Sequence, residues 1–294
     1  VGLAGITETP LVIAEVQRPG PATGLPTRTE QGDLSFTVNI SQGEFPIMVI
    51  SPRDQEDAFY QAIRALNLAE KYQIPVVLLS DQFLGDSAKN VPQFDFDKIE
   101  SKRYLADPDD YTDKEYRRYE YTEDGISPFA YPGLISGSTV LADSDEHDHK
   151  GHIVEDAETR NKMVAKRAKK EEKLINEDLQ EPEYLGKDEI DYLILGWGST
   201  YGPIQEAKKL LNEEGISTGY LSFTDLWPLP QDEIEKWAEK DVEMIVVENN
   251  STAQFSKLIT QETGIKINNN ILKYDGRPFS GREIFERIKK EVIK

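Results

Sequence analysis

The chain reads as an α/β protein built from two consecutive units, each with a largely parallel sheet. Three observations predict this. Short apolar, β-branched runs alternate with stretches of helical periodicity, the pattern of βαβ units. An acidic stretch over residues 177–187, carrying Pro182, separates two such alternations. The 294 residues, 38% of them hydrophobic, suffice for two cores.

In chain order, residues 11–16 form an apolar run broken only by Glu15, and residues 46–50 form another; both have the length and content of buried parallel strands. Residues 54–71 are helical in spacing. Ala58, Ile63, Ala65, Leu66 and Ala69 share one broad face, Ser51-Pro52 starts the element and Gln73-Ile74-Pro75 closes it. Residues 75–79 are the next strand. Residues 86–150 show no regular period and are rich in Asp, Tyr, Pro and Gly. A stretch of that length is either a solvated excursion or an arm docked on another subunit. Tyr104, Tyr111, Tyr116, Tyr119, Tyr121 and Tyr131 favour the arm, because tyrosine buries area at low entropic cost. Residues 154–176 read as one long amphipathic helix, with Met163, Val164, Ala168 and Leu174 interrupted by Lys166, Arg167, Lys169 and Lys170. The expected division is a first domain over 1–176 including the arm, a linker over 177–187, and a second domain over 188–294. In that second domain, strands are expected at 192–195, 218–223 and 244–247. Helices are expected at 203–212, with Ile204, Ala207, Leu210 and Leu211 inward and Gly215 as the stop, from Gln231, and at 284–293.

The residues offering chemistry sit mostly in turns. After the first strand comes Gln17-Arg18-Pro19-Gly20-Pro21-Ala22-Thr23-Gly24-Leu25-Pro26-Thr27. Arg18 presents a planar donor fork suited to a carboxylate, and Thr23 and Thr27 add hydroxyls on a stiffened turn. The alternative is an ordinary proline- and glycine-rich loop with a solvated arginine. Gly196-Trp197-Gly198-Ser199-Thr200 runs from a strand into a helix, so it is either a phosphate cradle, coenzyme A contacts included, or a tight turn; its spacing is not that of a dinucleotide fingerprint. Glu248-Asn249-Asn250-Ser251 is either a site or the cap of the following helix. His147, His149 and His152 lie among Asp145, Glu146 and Asp148, which suggests a metal; yet metal ligands usually come from separated elements or one helix face.

A net charge of −20 argues against nucleic acid and anionic membrane surfaces, and suits solubility or docking to a positively charged partner. No apolar run approaches membrane-spanning length and no signal-peptide pattern opens the chain, so a cytoplasmic location is expected. With no cysteine, the chain cannot ligate an iron-sulfur cluster through thiolates.

The Arg18 turn, with Glu8-Thr9-Pro10-Leu11-Val12-Ile13 before it and Glu30-Gln31-Gly32-Asp33-Leu34 after it, resembles the alpha subunit of 2-oxoacid:ferredoxin oxidoreductases of the 2-oxoglutarate type. Gly43-Glu44-Phe45-Pro46, Ser80-Asp81-Gln82-Phe83-Leu84, Glu146-His147-Asp148, Gly151-His152 and Lys162-Met163-Val164-Ala165-Lys166-Arg167 extend the resemblance in the family's order over nearly the whole chain. It implies a thiamine-enzyme pyrimidine-binding-type domain followed by a transketolase C-terminal-like domain. It also implies that Arg18 pairs with the 2-oxoacid carboxylate while Thr23 and Thr27 bond substrate oxygens. The expected activity is oxidative decarboxylation of a 2-oxoacid, 2-oxoglutarate before pyruvate, to acyl-CoA and carbon dioxide, with electrons passed to ferredoxin. Thiamine diphosphate, magnesium and an iron-sulfur cluster are expected mainly on a beta subunit, with coenzyme A as co-substrate. The chain starts at Val1 and lacks the family's upstream Tyr-Pro-Ile-Thr-Pro motif, which is expected of a fragment. Two other readings stay open: a non-catalytic interaction fragment of such a complex, and a metal-dependent hydrolase using His147, His149 and His152.

Overall fold

The computed structural model describes residues 1–293. In the first half the elements are α1 (Gly2–Ile6), β1 (Leu11–Gln17), α2 (Leu34–Thr37), β2 (Met48–Ile50), α3 (Gln55–Tyr72), β3 (Pro75–Asp81), α4 (Gln82–Asp86) and α5 (Ala157–Glu177). The second half adds β4 (Glu183–Leu185), β5 (Tyr192–Trp197), α6 (Tyr201–Glu213), β6 (Thr218–Phe223), β7 (Asp225–Trp227), α7 (Asp232–Ala238), β8 (Glu243–Glu248), α8 (Gln254–Thr263), β9 (Asn269–Leu272) and α9 (Gly281–Glu291). One sheet has the order β1-β3-β2-β7 and the other β4-β6-β5-β8-β9; only β7 and β4 run antiparallel to their neighbours. The α/β class with mostly parallel sheets is as expected.

Pleat alternation explains why the central strands are apolar throughout. Met48 and Ile50 face α3 and α5, packing with Ala65, Leu68, Tyr72 and Leu174, while Val49 between them points into a core shared with Leu195, Trp197, Leu221 and Phe223. That shared core joins the two sheets. The far face of the second sheet is covered by α6 and α9 through Ile204, Ala207, Ile284 and Ile288.

Several elements differ from expectation. The inner face of α3 is Gln61, Ala65, Leu68, Ala69 and Tyr72, and Leu66 is 56% exposed. An apolar residue one position off the i, i+4, i+7 stripe turns to solvent. The stretch read as a linker contains β4, and Asp225–Trp227 leaves the second half to become an edge strand of the first sheet. Asp225, fully buried, anchors that crossing by accepting from both Arg64 guanidinium nitrogens at 2.6 and 2.7 Å and from the Gln180 amide at 2.8 Å. Residues 86–150 do lack long elements, holding short 3₁₀ turns at Phe96–Lys98 and Pro108–Tyr111 beyond the end of α4. Their tyrosines divide: Tyr116 and Tyr119 are buried within this chain, whereas Tyr104, Tyr121 and Tyr131 remain exposed.

The basic run of α5 is not a solvated face. Lys166 and Lys170 are buried with their ammonium groups against the two carboxylate oxygens of Glu8, and Arg167 is buried against Glu146. Arg118, reaching in from the long irregular segment, donates to Gln73 Oε1 at 2.9 Å and to the carbonyls of Thr7 and Glu8, its guanidinium lying over Phe129. The cluster around Glu8 and Arg118 thus gathers the chain start, the end of α3, the irregular segment and α5. Burial pushes Glu8 up, but Lys170 and Lys166 outweigh it and hold the carboxyl at about 2. Burial likewise pushes Lys166 down to about 7 against the pull of Glu8, and pushes Lys170 down as well.

Glu8→Gln leaves these cations without their counter-charge and is expected to cost about 3–5 kcal/mol in urea denaturation. Glu8, held below its ordinary 4.5, stabilises fully above that pH, and this is lost as pH falls toward about 2. Lys166 acts in another window. Between about 7 and its ordinary 10.5 the unfolded chain holds the extra proton, so stability rises with pH there. Denaturation midpoints in Lys166→Met that keep the wild-type slope between pH 7 and 10 would contradict this.

Candidate anion-binding site at the strand ends

The ends of β1, β2, β3, β5 and β8 meet where the two sheets abut, and polar side chains fill the junction. Gln31 is fully buried there. Its Nε2 donates to the Trp197 carbonyl at 2.9 Å, and its Oε1 accepts from the Asn249 amide at 2.9 Å. Its own amide donates to the Asn249 carbonyl at 2.7 Å, and its carbonyl accepts from Asn250 Nδ2 at 3.0 Å. Beside it, Asp81 ends β3 and caps α4, accepting from the Leu84 amide at 3.0 Å, from Thr29 Oγ1 at 3.2 Å and from Ser199 Oγ. Burial raises the Asp81 carboxyl against the pull of those donors.

The Arg18 turn hangs from this junction. It leaves β1 after Gln17, whose side chain donates to the Ser80 carbonyl and accepts from the Asp33 amide. It closes on itself through the Leu25 amide to the Pro19 carbonyl at 3.1 Å and returns through Thr29, whose amide donates to the Gly276 carbonyl at 3.2 Å. Gly24 is required: its φ is +50°, and a Cβ there would lie 1.7 Å from the Pro19 carbonyl oxygen. Arg18, Thr23 and Thr27 are all exposed on this turn, and their side chains have no hydrogen-bond or ionic partner among the described residues. Arg18 follows the carboxyl end of a parallel strand, the place where open α/β sheets take ligands, and its planar fork is suited to an oxyanion.

The other candidates resolve differently. In the 196–202 turn the Trp197 carbonyl accepts from Thr200 Oγ1 and Gln31, Ser199 bonds to Asp81, and Gly198, at φ +58°, lies so close to Ser51 and Gln31 that a Cβ would crowd them. It is a tight turn packed on the first half. Glu248 caps α8, accepting from the amides of Phe255 at 2.9 Å and Ser256 at 3.2 Å. The histidines do not converge. His147 is buried against the Tyr119 ring with Nδ1 at 3.1 Å from the Asp145 carbonyl, while His152 is exposed and pairs with Asp148. Among the described residues no three His, Asp or Glu side chains are gathered as a metal requires. The hydrolase reading has no support here.

Sequence reasoning assigned no role to Gln31, Asp81 or Thr29. The signal for Asp81 was present: an Asp at a strand end followed by Gln-Phe-Leu is a helix cap. Gln31 offered none, since its partners lie at least 166 residues away.

The fold is a two-sheet α/β chain whose exposed arginine- and threonine-bearing turn lies at the strand ends. A family model described as pyruvate flavodoxin/ferredoxin oxidoreductase, thiamine diphosphate-binding, matches residues 1–166, and one described as pyruvate:ferredoxin oxidoreductase core domain II matches residues 190–284. The chain belongs to the pyruvate flavodoxin/ferredoxin oxidoreductase family. It is 39% identical, over 99% of its length, to 46% of the alpha subunit of 2-oxoacid:ferredoxin oxidoreductase 1 from Sulfurisphaera tokodaii. It is 28% identical, over 99% of its length, to 76% of the 2-oxoglutarate synthase subunit KorA from Methanothermobacter thermautotrophicus. Among solved structures, the 2-oxoglutarate:ferredoxin oxidoreductase from Magnetococcus marinus, with 2-oxoglutarate, coenzyme A and succinyl-CoA bound, matches with TM-score 0.91 and 34% identity, over 100% of this chain and 50% of that one. The chain thus spans about half the length of the first of these curated relatives. No described helix is long and apolar enough to cross a membrane.

Gln31→Leu leaves the Asn249 amide without its partner in a buried junction and removes one of the two donors to the Trp197 carbonyl, and is expected to cost about 2 kcal/mol. Thr23→Ala and Thr27→Ala should be neutral within about 0.5 kcal/mol. Urea denaturation of the three variants checks both; a neutral Gln31→Leu would show that the junction does not hold the halves together.

Proposed function

We propose that this chain is alpha-subunit sequence of a 2-oxoacid:ferredoxin oxidoreductase, and that Arg18 binds the carboxylate of the 2-oxoacid. The observation that carries this reading is the Arg18 turn, an exposed and unpaired guanidinium at the strand ends among the described residues, in a chain of this family. Thr23 and Thr27 are proposed to donate to substrate oxygens from the same turn. The reaction is oxidative decarboxylation to an acyl-CoA, with electrons leaving to ferredoxin. Among 2-oxoacids, 2-oxoglutarate is the first choice, supported by the Magnetococcus marinus enzyme that carries it. Pyruvate is the competitor.

Carbanion chemistry at a 2-oxo carbon is the province of thiamine diphosphate. The residues of this chain do not complete its site. The buried carboxylates Glu8, Asp81, Asp225 and Glu248 are each engaged within the chain, so none is free to hold an aminopyrimidine. No gathered acid set suits magnesium among the described residues, and there is no cysteine for a cluster. Thiamine diphosphate, magnesium and the iron-sulfur cluster are proposed to lie mainly on a beta subunit, with this chain orienting the oxoacid. The exposed Tyr104, Tyr121 and Tyr131 of the irregular segment are proposed to dock there.

In the assembled enzyme, Arg18→Ala is expected to lower kcat/KM for the oxoacid by about 10- to 100-fold, the worth of one charge-assisted contact. Anaerobic viologen reduction measures it. Unchanged kinetics with an intact complex would overturn the role of Arg18; loss of the complex would make it structural.

A further inference from the structure

Of the twelve arginines in the chain, eight form ion pairs and Arg118 is buried with carbonyl and amide partners. The remaining three, Arg18, Arg28 and Arg277, are exposed, and among the described residues their guanidinium groups have neither a carboxylate nor a hydrogen-bond partner. In a chain of net charge −20 an arginine readily finds an acid, so three unpaired ones in one place need a reason. They do share a place. Arg18 and Arg28 stand at the two ends of the same turn. Arg277 follows Gly276, which packs against Arg28 and Leu25 so closely that a Cβ on Gly276 would lie 2.8 Å from Leu25 Cδ1 and 3.0 Å from Arg28 Cβ. Thr29 locks the two loops together through its amide and the Gly276 carbonyl.

The nearby acids do not cancel this charge. Asp275 is turned to its own loop, accepting from the Arg277 amide at 3.0 Å. Lys273, on the same loop as Arg277, is taken by Glu283.

We propose that Arg28 and Arg277 form a second oxyanion site beside Arg18, taking a carboxylate or phosphate carried by a small substrate whose 2-oxo carboxylate, or whose reaction partner, sits at Arg18. This rests on the functional reading above. Each half of the chain supplies one of the two arginines, so the site exists only when the Gln31 and Asp81 junction is closed. Two substrates of the proposed reaction carry such a group: a dicarboxylic 2-oxoacid through its distal carboxylate, and coenzyme A through its phosphates. Bidentate guanidinium contacts serve either.

The test is calorimetric binding without turnover, on the enzyme assembled with its partner subunit, comparing wild type, Arg28→Gln, Arg277→Gln and the double variant. The probes are 2-oxoglutarate, pyruvate, coenzyme A and inorganic pyrophosphate. The double variant should weaken pyrophosphate and one of 2-oxoglutarate or coenzyme A by about tenfold or more, with pyruvate held within about twofold. Which of the two weakens names the source of the oxyanion. Arg28→Lys with Arg277→Lys should restore part of the loss. Unchanged affinity for all four probes in the double variant overturns the site and leaves the functional reading standing. Loss of partner association at unchanged ligand affinity overturns it too, in favour of a protein contact. A wild type that binds pyrophosphate through these arginines but none of the three substrates keeps the site and overturns the reading.

Discussion

The structure depends on the carboxamide of Gln31. It is fully buried between the ends of two sheets, donates to one strand end of the second half and accepts from another. Both bonds leave the segment that ends the Arg18 turn, so the geometry of that turn is inherited from the closure of the two halves. Asp81 adds a second tie, joining Thr29 of the turn to Ser199 of the second half. Gln31 and Asp81 are themselves locked by several bonds each, and so fix where the turn meets the sheets.

Charge serves a different end around Glu8. There a carboxylate faces two lysines, with Arg118 bonded to its backbone carbonyl, inside a dry region, an arrangement that contributes little net stability and punishes loss of one member. Its effect is to specify where the irregular segment lies. That segment has no sheet or long helix to place it, and Arg118 pins it to the Gln73 carboxamide and the Thr7 and Glu8 carbonyls. The exposed tyrosines on the same segment are then presented in fixed positions.

What could be read from the residues alone was whatever local period encodes. The parallel strands other than β9, with α3, α5, α6 and the closing helix, follow from apolar spacing and punctuation, and the Arg18 turn follows from its prolines and glycines. Three-residue strands do not carry a period, so β4 and β7 were invisible, and β7 also crosses between halves that composition separates. The burial of Lys166 and Lys170 in α5 has no local signal, because their partner Glu8 is 158 residues away from Lys166. Gln31 was hidden for the same reason: its meaning is the pairing of distant strand ends. Arg28 and Arg277 became notable only when the other arginines had been seen to be paired.

The central claim is that the Arg18 fork receives the oxoacid carboxylate at the junction of the two halves. A structure of the assembled enzyme with a 2-oxoacid bound tests it most directly. The account predicts the carboxylate within hydrogen-bond distance of both terminal nitrogens of Arg18, with Gln31 still bridging Trp197 and Asn249. An oxoacid seated elsewhere, with Arg18 turned to solvent or paired to a partner-subunit acid, would contradict it.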